Sequence, residues 1–289
     1  MRDAQVAAVA GRQFNRISRQ QLLGLGHSAR TIDRDLEARR LAPVEQGVYA
    51  VAPLLEHDEW GRWMGATLTA PGTFLSHASS AAARGFWSFE RHFETVTRPG
   101  SGGPRRHGGV LVYRSATLEN DVAELNGVPV TTVPRTLLDL AVGVTDRALA
   151  RAVREAVRLD LITLTAIGDA LGNYRRRRGA GRLAATVARY SGLPLERARS
   201  GAEVRALEIL RDAGRPLPRL NHRIAGEEAD LSWPAIRRIL EIDGGPFHLD
   251  VGEDARKQQR WEAAGWTVER VSSDDVYDHP HHVLALAPG

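Results

Sequence analysis

Between positions 230 and 243 the chain sets three acids, Asp230, Glu241 and Asp243, into a segment that reads as a β-hairpin. Pro234-Ala235 forms a turn between a run ending Leu231-Ser232-Trp233 and an aliphatic run Ile239-Leu240-Glu241-Ile242. Period two puts Ile239, Glu241 and Asp243 on one face of the second strand, with Leu240 and Ile242 on the other. A hairpin pivoting near Ala235 brings Asp230 opposite Leu240 or Glu241, so its carboxylate joins the other two. Ionised carboxylates withdrawn from water are costly unless something compensates them, and a divalent cation compensates several at once. The chemistry this pattern predicts is metal-assisted hydrolysis.

The surroundings extend the pattern. Gly244-Gly245-Pro246-Phe247-His248 is a turn that carries a histidine back toward the acids, where it can ligate metal or move a proton. A helix is predicted over about 253–263, bearing Arg256 and Lys257 as phosphate contacts, then an alternating strand over 265–271. Upstream, Ser200 and Glu203 have capping-box spacing before a helix with Val204, Leu207 and Leu210 on its apolar face. Each residue also has a plainer reading: Glu203 as a cap, Asp243 as a turn residue before Gly244, His248 as an ordinary histidine. Their convergence on one sheet edge favours the site.

Through Ser200, Glu203, Asn221, Asp230, Glu241-Ile242-Asp243-Gly244, His248, Arg256 and Gly265-Trp266, the region from about 200 to 276 resembles the Vsr-like endonuclease domains of the PD-(D/E)XK nuclease superfamily. The resemblance covers roughly a quarter of the chain. It implies a restriction-endonuclease-like α/β domain with a mixed sheet and Mg²⁺ or Mn²⁺ held by Asp230 and Glu241. Glu203, with Asp243 as a supplementary ligand, would complete the shell; His248 would lie near the scissile phosphate, and Arg256 or Lys257 would clamp it. Asp243 stands where the superfamily name implies lysine, a lysine that the Vsr-like branch also lacks. Lysine's electrostatic work would then fall to the metal, His248, Arg256 or Lys257, the only lysine in the chain.

The remaining length, in a chain of 289 residues, calls for further domains. The first 55 residues read as a winged helix-turn-helix. Ser18 caps a helix with Leu22 and Leu23, and Ser28 caps the next, with Ile32 and Leu36 inward and Arg30, Thr31 and Arg34 outward toward DNA. Gly47-Val48-Tyr49-Ala50-Val51 supplies a wing. Residues 56–145 read as an α/β module, with a strand at Phe93-Glu94-Thr95-Val96-Thr97, a loop over 100–109 bearing Arg105, Arg106 and His107, and a partner strand Val110-Leu111-Val112-Tyr113. Gln46-Gly47-Val48-Tyr49 and Pro129-Val130-Thr131-Thr132-Val133-Pro134-Arg135-Thr136-Leu137-Leu138-Asp139-Leu140 make roughly 5–160 similar to the AbiEi-type antitoxin family of transcriptional regulators.

A basic helical bridge, 146–199, precedes the acid-bearing domain at 200–289. Within it, 147–199 holds twelve arginines against four acids, a local +8 inside a chain of formal charge +4. Arg147, Arg151, Arg154 and Arg158 fall on one helical face opposite Leu149, Val153 and Val157, and Arg175, Arg176, Arg177 and Arg178 form a solvated loop or helix end. Both suit a phosphate backbone, with affinity that falls steeply with salt; the plain alternative is an ordinary solvated face. Cysteine is absent, which excludes disulfides and thiolate zinc sites. With no apolar run near the ~18–20 residues of a membrane span and no leader-like start, a soluble cytoplasmic protein is expected. Ser76-His77 invites a nucleophile-base reading, but no orienting acid stands at readable spacing. His279, His281 and His282 are interrupted by Pro280 near a terminus that is usually mobile. No Walker or dinucleotide loop occurs.

The sequence therefore predicts a modular DNA-processing protein: a metal-dependent endonuclease acting on double-stranded DNA, branched or mismatched forms included. Two alternatives stay open, an antitoxin-like regulator with a degenerate nuclease fold and RNA cleavage, since carboxylate-metal chemistry is indifferent to the 2′-hydroxyl.

Overall fold

The computed structural model describes residues 2–51, 58–244 and 251–289. Among them are thirteen α-helices and three sheets, a mixed α/β architecture. No helix among the described residues is long and apolar enough to cross a membrane. The chain divides into two compact units, 1–156 with 165–186, and 157–164 with 187–289.

The first unit opens with α1 (Arg2–Gly11), β1 (Arg16–Ser18), α2 (Arg19–Gly24), α3 (Ala29–Glu37), β2 (Leu41–Glu45) and β3 (Val48–Val51). Ser18 begins α2 through a reciprocal capping box with Gln21, and the Ser28 hydroxyl accepts from the Thr31 amide to begin α3. Ile17, Leu22, Ile32, Leu41 and Tyr49 form the shared core beneath a small sheet ordered β1-β3-β2. Leu22 faces inward as expected; Leu23 is exposed.

Next come α4 (Glu59–Thr67), β4 (Phe74–Leu75), α5 (His77–Ala83), β5 (Glu94–Pro99), β6 (Arg105–His107), β7 (Val110–Ser115), β8 (Val122–Leu125), β9 (Val128–Thr131) and α6 (Val133–Gly143). The sheet order is β6-β7-β5-β4-β9-β8, over a core of Trp63, Met64, Leu75, Val96, Val112 and Val130. β5 and β7 pair in parallel rather than as a hairpin. The reason is that 100–109 is not only a loop: it contains β6, which takes the antiparallel edge of β7 and obliges the chain to cross before β7 begins. Helices α7 (Asp146–Arg158), α8 (Leu164–Tyr174) and α9 (Ala180–Tyr190) follow, the division between units falling within α7 and α9.

In the second unit α10 (Gly201–Asp212) leads to β10 (Arg219–Ile224), β11 (Glu227–Trp233), β12 (Arg238–Asp243), α11 (Val251–Ala263), β13 (Thr267–Ser272), α12 (Ser273–Asp278) and α13 (Pro280–Leu286). The sheet order is β10-β11-β12-β13. β11 and β12 form the expected hairpin, its turn a short 3₁₀ segment Pro234–Ile236 closed by Arg237 in the left-handed region (φ 48°). β12 and β13 are parallel, which a crossover through α11 permits. Trp261 of α11, fully buried, packs with Ile224, Ala229 and Ile239 and donates its indole N–H to the Ile224 carbonyl at 3.1 Å. That contact fixes α11 on the sheet and sets the height at which Lys257, one turn earlier, meets it.

Candidate active site

The β11-β12 ladder pairs Trp233 with Arg238, Ser232 with Ile239 and Leu231 with Leu240, which puts Asp230 opposite Glu241 at the next step. There the side chains replace the ladder. The Asp230 amide donates to Glu241 Oε1 at 2.9 Å, and the Ile242 amide donates to Asp230 Oδ2 at 2.9 Å. Two backbone donors that would lie unsatisfied in an opening fork are thus met by two carboxylates, which holds both acids at one point of the sheet.

Lys257 Nζ donates to the other Glu241 oxygen, Oε2, at 2.8 Å, and lies 4.6 Å from the centroid of the Trp261 ring. Among the described residues Asp230 has no such partner. Burial pushes its carboxyl up to about 6, and the neighbouring charges of Glu241 and Glu203 add to the shift against the Ile242 amide and Lys257. The pair is short of positive charge.

Glu203 is buried at the first turn of α10. The Ser200 hydroxyl accepts from its amide at 3.1 Å, while its own carboxylate accepts from the Arg199 amide and from Asn221 Nδ2, both at 3.0 Å. It is therefore a cap first, as its plainer reading held, yet it remains near enough to Asp230 to raise it. Asn221 has φ 47° and leaves a gap in the β10-β11 pairing between Leu220 with Leu231 and His222 with Ala229; its amide also donates to the Arg197 carbonyl at 2.7 Å. Asp243 does not close on the other acids: its carboxylate accepts from Arg270 Nη1 at 3.0 Å. Arg270 comes from β13, opposite Glu241 in the parallel register, and sequence reasoning missed it. A cation in a strand beside an acidic strand is the signal that marks it. Arg256 is exposed on α11. His248 lies outside the described residues. Among the described residues no three histidine, cysteine or acidic side chains are grouped so that they can hold a metal ion, so the four-acid shell expected from the sequence reduces to Asp230 with Glu241.

The candidate DNA contacts fall in three places. On α3, Arg30 and Arg34 are exposed, while the Thr31 hydroxyl is 2.9 Å from that of Ser28 and belongs to the cap. On α7, Leu149 and Val153 are buried and Arg147, Arg151 and Arg158 exposed, as the helical spacing predicts; Arg151 lies over the Phe89 ring and Arg154 pairs with Glu155. In the turn after α8, Arg175, Arg176 and Arg178 are exposed. Arg177 instead donates to the Thr117 carbonyl at 3.0 Å and to Asp121 at 3.3 Å, a structural engagement.

Two side features of the sequence also resolve. Ser76 Oγ is 2.9 Å from His77 Nδ1, and an acid is present after all, Asp139 Oδ2 at 3.9 Å. Both address the same ring nitrogen, and Ser76 is wholly buried, so no proton relay from hydroxyl through imidazole to carboxylate exists. The three C-terminal histidines lie between α12 and α13 and on the first turn of α13, whose Val283 is fully buried, and His282 Nδ1 pairs with Asp275 at 3.2 Å.

No family model matches the chain. Over 149 aligned residues it is 32% identical to two curated proteins of Mycobacterium tuberculosis, the uncharacterized protein MT2308 of strain CDC 1551 and the uncharacterized protein Rv2248 of strain H37Rv. The match takes in 48% of this chain and 52% of each relative, so the chain spans about half the length of the curated relatives it matches.

Proposed function

We propose that this protein is a divalent-metal-dependent DNA endonuclease whose 200–289 region is a PD-(D/E)XK domain of the Vsr-like kind. The observation that carries the reading is the fork at Asp230 and Glu241, where two facing carboxylates are held together and the chain's only lysine reaches one of them. Their oxygens suit a hard cation. Mg²⁺ is commonly bound through one or two carboxylates, with waters and substrate phosphate making up the rest, so two acids are enough. Asp230 and Glu241 would hold it, and Asp230, pushed up to about 6 by burial and its acidic neighbours, is the group whose charge it would restore. Bound there, Mg²⁺ or Mn²⁺ would supply Lewis-acid stabilisation and an activated water.

The rest falls to the chain itself. Lys257, which reaches Glu241 from α11, would supply the ammonium that Asp243 cannot supply from β12 and stabilise charge developing on a phosphate. Arg256, exposed on the same helix, is a backbone contact. Residues 2–51, with two capped helices and a strand hairpin, act in this reading as a winged helix-turn-helix reader presenting Arg30 and Arg34, and the exposed arginines of α7 and of 175–178 add phosphate contacts. A cysteine-free chain suits a reducing cytoplasm.

A second reading is favoured by one observation: Lys257 already neutralises Glu241 and Arg270 already neutralises Asp243, as in a fold kept only for binding. It makes the protein a non-enzymatic, antitoxin-like DNA regulator. Incubation with supercoiled plasmid, branched or mismatched duplex and RNA, in Mg²⁺ or Mn²⁺ against EDTA, decides between them. The endonuclease nicks or cuts DNA only with metal, and Asp230→Ala and Glu241→Ala each lose on the order of 10²-fold or more. Cleavage surviving both substitutions rejects the site, and binding without cleavage establishes the regulator.

A further inference from the structure

The C-terminal histidines stand on fixed backbone. Val276 of α12 and Val283 of α13 are both fully buried, and Arg238 Nη1 donates to the Leu286 carbonyl at 3.1 Å. Pro280 opens α13, so His279 immediately precedes the helix and His282 lies three residues on, the spacing at which the side chains of a capping box meet. The His279 amide donates to the Asp275 carbonyl at 2.8 Å, and the His282 amide to the His279 carbonyl at 2.9 Å. The two ring centroids are 5.4 Å apart, and both rings are exposed.

Asp275 orients the pair. Ser272 Oγ donates to its Oδ2 at 2.8 Å, and its Oδ1 is 3.2 Å from His282 Nδ1. The Ser272 hydroxyl, with His282 and His279 behind it, holds the Asp275 carboxyl below the usual carboxylate value, so both rings face one acid. A carboxylate at Nδ1 keeps the proton there and leaves the Nε2 lone pair for a ligand, the arrangement that recurs behind metal-bound histidines. Two imidazoles on one ion, each ~2.0–2.1 Å from it, have centroids ~4.5–5.2 Å apart between square and tetrahedral angles. The observed spacing is within a small turn of exposed rings, whose second side-chain torsion is soft. Three donors do not close on one point among the described residues, so the site is a two-imidazole chelate.

We infer that His279 and His282 chelate a late first-row transition-metal ion, Cu²⁺, Ni²⁺ or Zn²⁺, with water completing the shell and Asp275 as the positioning residue behind His282. Imidazole nitrogen selects these ions over Mg²⁺, which prefers oxygen. Nothing in the acid fork of β11 and β12 enters this inference, and it stands if the endonuclease reading fails.

Calorimetric titration with Ni²⁺ at pH 8, with millimolar Mg²⁺ present to occupy the acid fork, tests it. One Ni²⁺ binds per chain, and Cu²⁺ displaces it. His279→Gln and His282→Gln each weaken Ni²⁺ at least tenfold with the thermal transition unchanged, since His279 makes no side-chain cap bond and both rings are exposed. Asp275→Ala weakens it about tenfold, and Asp275→Asn, which keeps an acceptor for Nδ1–H, recovers most of the loss. Asp230→Asn leaves it unchanged. Absence of Ni²⁺ binding, displacement of Ni²⁺ by Mg²⁺, unchanged affinity in either histidine variant or in Asp275→Ala, or an equal loss in Asp230→Asn overturns the proposal.

Discussion

Two places in this protein withdraw acids from water, and they treat them in opposite ways. In the first unit Arg135, 6% exposed, donates to Asp139 at 2.8 Å and to Asp121 at 3.2 Å, and Tyr174 and Arg177 complete the shell around Asp121. In the second unit Asp230 and Glu241 face each other with one ammonium between two carboxylates, and that ammonium sits on Glu241. The first cluster is closed in charge, Arg135 and Arg177 against Asp121 and Asp139, and serves the fold, tying α6 and the turn after α8 to the 117–121 segment. The second is held in place by backbone amides yet, among the described residues, stays under-neutralised, a condition that recurs at functional sites.

The difference is open to breakage first on the closed side. Arg135→Met leaves buried Asp139 without its guanidinium and Asp121 with Arg177 alone, and should cost about 3–5 kcal/mol, read as a lowered urea midpoint. A loss under about 1 kcal/mol would mean the cluster is no keystone.

The open side should respond in the opposite direction. Asp230→Asn keeps an amide oxygen for the Ile242 N–H but removes the charge, and should stabilise the protein at pH 7.5 by roughly 1–3 kcal/mol. The sign follows from the carboxyl being raised to about 6 from its ordinary 3.8: the folded state binds the proton more tightly than the unfolded chain. The penalty is therefore absent below about pH 4, grows through the interval to about pH 6 and is full above pH 7. Urea curves of wild type and variant should converge at pH 4 and separate at pH 7.5; the reverse order would remove the claim of a charge deficit. The smallest effect is local: Ser200→Ala should cost about 1 kcal/mol through the lost α10 cap, with the pH trend of Asp230 preserved.

Much of this was legible from residues alone. The caps at Ser18, Ser28 and Ser200 follow from local spacing, and counting back from the Pro234-Ala235 turn puts Asp230 opposite Leu240 or Glu241, between which the ladder register selects Glu241. What escaped was set by packing between distant segments. Lys257 reaches Glu241 because Trp261 seats α11 on the sheet, a contact no local period encodes. Arg270 lies beside the acids only in the parallel register of β13, and Asp139 nears His77 across 62 positions of sequence. The parallel pairing of β5 and β7 was hidden because a three-residue edge strand, β6, is too short to show alternation.

Under the proposed endonuclease function Asp230, short of positive charge among the described residues, would take a divalent cation. Calorimetric titration of Mg²⁺ at pH 6 in two buffers of different ionisation enthalpy measures it, since a cation bound at a carboxyl of pKa about 6 must displace its proton. Release of roughly half a proton per ion at pH 6, vanishing at pH 8 and in Asp230→Asn, is the predicted result. Binding with no proton release at pH 6, or release unchanged in Asp230→Asn, would contradict it.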